Sequence, residues 1–504
     1  MNPPATHVSE RIPMNKPDPP TFCHACTFRL GFLLTWMLLG MPFLAVEIAP
    51  IIDLPQQMAQ LRLAFEELGR PDSPYLLQWW TPNKLGYLPF ALLWPFLSPW
   101  KAALLGSWLM CGFWLFGVFR LAWIFERPLH LALLAAPLLY SPLLQYGFFN
   151  FMAGFPLLVL WWEVVRREQG IAPLWLGLLG LLLYFAHVLW LGMGLLLLMG
   201  HLLVHRAPGA VWRRCGLALL PVGGMTAVWA GTFFGGAFGA APSRWLVPLG
   251  SRLSRPDYWS EGLYSGTRGE EGVLLLAIMV LFAGVGAWLN REDEEWRGEI
   301  RLVLAGVVVL GLVMLLPDMS SNTLLFNRRW LPVAGVLLLL GLPGAGWRIG
   351  NVLALALVAA AGYVTASAWT VVEAKELSGL KAAVEVIPSR SRVLGLDHVS
   401  PSGVLKVRRP FLQQFAWSQA LKGGELNFSF ADLATSPVIY RQPREARWTT
   451  GLEWFPERVT AGDYAAFDYV LIGGDERVHQ KMVRQPGLEG VTHEGVWRSY
   501  RVTR

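Results

Sequence analysis

Residues 30–55 read Leu30-Gly-Phe-Leu-Leu-Thr-Trp-Met-Leu-Leu-Gly-Met-Pro-Phe-Leu-Ala-Val46-Glu47-Ile-Ala-Pro-Ile-Ile-Asp53-Leu-Pro55. Up to Val46 there is no charge, and the run is long enough for a membrane helix. Two acids follow at once, at Glu47 and Asp53, where the chain must leave the apolar layer. A carboxylate beside a bilayer is costly to keep and usually has a task. Asp53 also precedes Pro55, a pattern that suits the N-terminus of a second helix.

The rest of the chain agrees with a membrane reading. Of 504 residues, 54% are hydrophobic and 15% charged, against about 25% charged in an ordinary soluble domain. Residues 171–200 hold no Asp, Glu, Lys or Arg and a single histidine, His187. The net charge of +7 falls largely in loops between apolar runs, where it sets topology. Nucleic acid is therefore not a partner this sequence implies; membrane lipids are. Four cysteines (23, 26, 111 and 215) are too few for a disulfide framework, and Cys23-His-Ala-Cys26 has no second pair to complete a zinc site.

Twelve candidate spans stand at 30–46, 86–99, 102–124, 129–146, 148–165, 172–188, 189–204, 215–235, 272–289, 301–317, 329–345 and 350–371. Arginines between spans (Arg166, Arg167, Arg206, Arg213, Arg214, Arg291, Arg297, Arg301, Arg348) share one face, expected to be cytoplasmic. The loops at 47–85, 236–271 and 318–328 then lie on the other side. Parity around the break at Pro99 leaves about 11 crossings. Residues 1–27, Pro-rich and polar, are expected to be a disordered cytoplasmic tail, and 28–372 the multi-span domain. After 372 charge returns to a normal density. Arg392-Val-Leu-Gly-Leu-Asp397 and 467–474 read as buried parallel strands, and the run from Trp497 as a final edge strand. The fold expected is an α-helical polytopic membrane domain with a C-terminal extracytoplasmic α/β domain at 373–504.

Residues 56–68 place Gln57, Gln60 and Glu67 opposite Met58, Leu61 and Phe65, as a short amphipathic helix on the membrane surface would. The acid-bearing first loop, this helix, the many spans and the terminal α/β domain together resemble the GT-C superfamily of membrane glycosyltransferases, such as the aminoarabinose transferase and the protein O-mannosyltransferases. The resemblance implies that Asp53, with Glu47 as second candidate, serves as general base or metal ligand for transfer from a polyprenyl-phosphate sugar. Here Leu54 and Pro55 follow, with neither an adjacent Glu nor a following His. No metal ligand is assigned, and a divalent metal is the cofactor the resemblance leaves open.

Such chemistry needs cations for the leaving phosphate. Lys84, Arg244, Arg252, Arg255, Arg328 and Arg329 are the candidates, with Arg329 closer to its span than Arg328. Either arginine of the pair could equally be snorkelling beside Trp330. Tyr146, Asn150 and His187 stand at the outer ends of spans and suit sugar hydroxyls, while Asp257 lies beside Tyr258 and Trp259 in a loop that could close as a lid. The reading is an inverting transferase using a lipid-linked sugar donor on the outer face of a bacterial inner membrane. The alternatives are a flippase or transporter of lipid-linked saccharides, expected to show repeats and mid-membrane charges, and a non-catalytic scaffold of the same fold. Oligomeric state is not legible.

Overall fold

Uncharged runs rich in Leu, Ala, Val and Trp leave the backbone no partner but itself inside a bilayer, and helix is the result. The computed structural model describes residues 22–167, 170–235, 242–267, 269–289, 298–321, 323–344, 348–407 and 409–503. Among them, five helices are long and apolar enough to cross a membrane: Ala25–Ala45, Pro99–Ile124, Gly209–Gly235, Gly269–Trp288 and Ile349–Lys375. Five shorter apolar helices stand beside these: Leu129–Gln145, Phe149–Val165, Pro173–Ala186, Val188–Val204 and Ile300–Leu315. Gly209–Gly235 turns Leu217, Leu220, Val228 and Phe234 outward. Such a surface is stable only against lipid.

Three expectations about the helices change. The first helix begins at Phe22, so residues 22–27 of the expected tail are helical, while its residues 1–21 lie outside the described residues; Cys26 is a free, exposed thiol on that helix. Residues 86–99 are not a span. Pro89 and Pro95 cut them into a 3-10 turn, Leu85–Tyr87, and a helix of six residues, Leu88–Leu93, which rises only about 9 Å. The crossing expected around Pro99 is the single helix Pro99–Ile124. The third change concerns the helix after Asp53, Leu54–Arg62. It does not lie on a surface: Leu54 through Leu61 are all buried.

What buries that helix is the C-terminal segment. Nine strands are described: β1 (Tyr75–Leu77), β2 (Met319–Ser320), β3 (Thr323–Leu324), β4 (Arg392–Asp397), β5 (Glu425–Leu426), β6 (Val438–Tyr440), β7 (Tyr469–Gly473), β8 (Leu488–Gly490) and β9 (Trp497–Val502). Five of them form one sheet in the order β5-β4-β7-β9-β8. β4 runs parallel to β7, and β9 antiparallel to it. β9 is therefore interior, a correction to its reading as an edge strand: Trp497 and Tyr500 are buried, and β8 covers its outer side.

The joint between this layer and the first loop is polar and specific. β1 pairs antiparallel with β6, setting Tyr75 against Tyr440. Gln56 donates from Nε2 to Gln413 Oε1 (2.9 Å) and the Phe428 carbonyl (3.1 Å), and its Oε1 accepts from Phe430 N (2.9 Å). Gln60 Oε1 accepts from Val438 N at 2.8 Å. Glutamines can be buried without the cost of a charge once their amides are paired. Of the polar stripe that sequence periodicity assigns to water, Gln60 is matched to backbone of the C-terminal segment, Gln57 to the Gly147 carbonyl, and Glu67 to Arg70 and Arg390.

Candidate active site

Asp53 leaves the first span on a stiff turn. Ile52 N and Asp53 N donate to the carbonyls of Gln145 (3.0 Å) and Tyr146 (3.2 Å), so the turn at 145–147 backs the acid. Gly147 has φ +75, and a Cβ there would meet Ile51 Cγ2 at 3.1 Å, Asp53 Cβ at 3.5 Å and Gln57 Nε2 at 3.6 Å. Both the left-handed backbone and the crowding require glycine. Gly147→Ala is expected to lower the thermal unfolding midpoint, a cost of about 1–2 kcal/mol, and to reduce turnover by displacing Asp53; unfolding and activity in detergent check both.

Asp53 precedes the helix Leu54–Arg62, but its side chain makes no capping hydrogen bond and no ion pair with a described residue. The capping explanation for an acid at this position therefore does not hold. Asp53 instead lines a cavity of about 510 Å³, together with Tyr146, Asn150, His187 and Arg329. Burial raises its carboxyl to about 7, against a smaller lowering by the Arg329 guanidinium. The C-terminal layer closes over the acid, and the group titrates near neutrality.

Arg329 sits in a 3-10 turn, Arg328–Trp330, at the head of the helix Leu331–Gly341. Its Nε and Nη2 donate to the Leu324 carbonyl (3.2 and 2.9 Å), and its guanidinium lies over the Phe148 ring at 3.7 Å. Burial lowers it to about 10, opposed by Asp53, so it stays cationic at neutral pH. Arg329 and Asp53 face one cavity without closing into a salt bridge. The turn carrying Arg329 is fixed from below by Arg252, whose guanidinium is fully buried. Arg252 Nη1 donates to the carbonyls of Val313, Met314 and Leu316, and its Nη2 to Asp318 Oδ2 at 2.9 Å. Asp318 Oδ1 in turn accepts from Asn327 Nδ2 at 3.2 Å. The loop at 236–271, read from sequence as a lid, is thereby anchored where it is described.

The other candidates divide. Asn150 holds the wall with Oδ1 accepting from Gly86 N at 2.7 Å. His187 Nδ1 accepts from Leu189 N at 3.3 Å, so the neutral ring carries its proton on Nε2, which has no partner among the described residues. Lys84 is half-buried beside Asn83 and does not line the cavity. Its Nζ donates to the carbonyls of Pro82 (3.1 Å) and Thr435 (3.0 Å), and burial lowers it to about 7. Arg328 points away. Successive residues of a 3-10 turn diverge by about 120°, and it lies over Tyr258 at 4.1 Å with Glu261 at 3.9 Å. Arg255 and Asp257 pair with each other in the open. Glu47 is exposed and pairs with Lys381, while Glu47 N and Ile48 N donate to the Glu373 carboxylate (2.8 and 2.7 Å). These five, Glu47, Lys84, Arg255, Asp257 and Arg328, do not line the cavity.

Sequence reasoning passed over Gln57 as a surface residue and Asn83 altogether, and both line the cavity. It also missed the C-terminal wall of Gln413, Thr435, Ser436 and Trp454. Asn83 adjoins Lys84 and has φ +64, a local signal; the C-terminal wall, more than 350 residues away, carries none. Among the described residues no group of three His, Cys, Asp or Glu side chains converges.

No protein-family model matches the sequence, and no curated protein does. Two solved structures resemble the chain, both of ArnT from Cupriavidus metallidurans. The form bound to undecaprenyl phosphate is 11% identical, with 94% of this chain and 97% of that one covered and a TM-score of 0.48. The apo form is 12% identical over the same shares, with a TM-score of 0.44.

Proposed function

We propose that this chain is a GT-C-type glycosyltransferase that moves a sugar from a polyprenyl-phosphate donor to an acceptor hydroxyl. One observation carries the reading: a buried carboxylate and a buried guanidinium, Asp53 and Arg329, face the same cavity without neutralising each other. An unpaired pair of this kind is expensive to hold and is expected where a ligand separates the charges.

The chemistry follows from the groups. The acceptor oxygen attacks the anomeric carbon while its proton passes to the Asp53 carboxylate. The bond from that carbon to the phosphate oxygen breaks, and its electron pair leaves on the phosphate, whose charge goes from −1 to −2. Arg329 answers the added charge. Attack opposite the departing phosphate inverts the anomeric centre. His187 Nε2 and the Asn150 amide are left to hold hydroxyls. Arg328, Arg255, Asp257 and Glu47 have no part in this scheme.

The setting proposed is the outer face of a bacterial inner membrane. The first loop and the C-terminal segment share one side, since β1 pairs with β6, and arginines concentrate between spans at the other. Cysteines at Asp72 and Glu476, both exposed, should label with a membrane-impermeant maleimide in intact cells; protection of both would refute the orientation. Product analysis separates the reading from a flippase. In proteoliposomes a transferase releases the carrier as a monophosphate and leaves the sugar on the acceptor, whereas a flippase returns the donor intact.

A further inference from the structure

Gln57 stands one turn after Asp53 on the helix Leu54–Arg62, so the two side chains share a face. It is 6% exposed and lines the cavity. Its Nε2 donates to the Gly147 carbonyl at 2.7 Å. A carbonyl only accepts, so the amide cannot be turned over, and Oε1 is fixed as the free end. That oxygen is buried and accepts no hydrogen bond. Asn83, also on the cavity wall, holds its Oδ1 buried in the same condition. With Asp53, three residues that carry acceptor oxygens line one cavity. An orphaned buried acceptor is kept at a cost unless something donates to it. Neither a phosphate nor a hydrocarbon tail can donate; a ring bearing hydroxyls can.

We propose that Gln57, supported by Asn83, recognises hydroxyl groups of the sugar that the donor carries, so that the site selects a hydroxylated ring beside the phosphate. The proposal rests on the transferase reading above and adds to it the residue that tells a charged carrier from an empty one. Gln57 is a specificity residue: it takes no proton and forms no bond to the reacting carbon. Its loss removes the preference for a glycosylated carrier and leaves the grip on phosphate in place.

The test measures binding of farnesyl phosphate, farnesyl phosphoryl-glucose and farnesyl phosphoryl-galactose to the purified full chain. The wild type is expected to bind a glycosylated probe about fivefold or more tighter than farnesyl phosphate. Gln57→Leu should lose that preference while binding farnesyl phosphate as the wild type does, which also reports that the cavity is intact. Gln57→Met repeats the measurement with a side chain of matched length. A preference that survives both substitutions, or none in the wild type while Arg329→Ala still weakens farnesyl phosphate, overturns the assignment of Gln57 alone. Farnesyl phosphate that does not bind, or binds equally to Arg329→Ala, overturns the transferase reading and this inference with it.

Discussion

Asp53→Asn is expected to accumulate and insert as the wild type does, to bind the lipid donor, and to lose transfer by about 10²-fold or more. The substitution keeps shape and removes basicity. Its effect on stability should run the other way. The folded carboxyl titrates near 7 against an ordinary value of 3.8. Below about pH 4 both folded and unfolded chains hold the proton. Between there and 7 the folded chain stays protonated while the unfolded one ionises, so stability falls as pH rises. Asp53→Asn lacks this loss, and its unfolding midpoint at pH 7.5 should equal or exceed the wild type's. Wild-type turnover should climb with pH through about 7, following the ionised base, and then level. Substantial transfer by Asp53→Asn would move the base elsewhere, and a flat wild-type pH profile would remove Asp53 from the proton transfer.

Arg329→Ala is expected to weaken donor binding about 10- to 100-fold, the range for charge-assisted hydrogen bonds that lose their cation. Arg329→Lys keeps the charge but not the fork that grips Leu324 O and a phosphate together, so it should recover only part of the loss. A second readout separates phosphate binding from mere packing against Phe148. Arg329 holds the Asp53 carboxyl below where burial alone would place it. Removing the guanidinium should therefore shift the midpoint of the pH–turnover profile upward, and Arg329→Lys should return it toward the wild type. Unchanged donor affinity in Arg329→Ala would leave the arginine as a packing group at the head of its helix.

Sequence carried local facts well and distant ones poorly. The acid at Asp53 was visible because composition changes abruptly at Val46, and Arg329 because it abuts an apolar run. β4 was visible because Arg392–Asp397 is short, apolar and ends in an acid. Gln57 was misassigned because its period-3.6 stripe is the same whether water or another segment covers it. Only the C-terminal layer decides between them, and that layer arrives from beyond residue 412. Arg328 and Arg329 are equivalent in composition; a 3-10 turn, which no residue type announces, sends one inward and the other over Tyr258. β9 read as an edge because its residues alternate between apolar and polar, yet the strand before it in sequence lies outside it in the sheet.

The hydrogen bonds of Gln56 and Gln60 span 357 to 378 residues of sequence, and this sets a calendar for the nascent protein. When the ribosome has delivered the first loop, the wall that will cover Asp53 has not been made. Contacts of such separation form last, since the intervening chain must be placed before its ends can meet. The growing chain therefore threads its spans into the bilayer with an ordinary hydrated acid at their edge. The strongly shifted one exists only after residues 412–454 have docked. The site closes only once residues 412–454 have been made and have docked, so a chain cut short before residue 412 lacks much of the wall of its cavity.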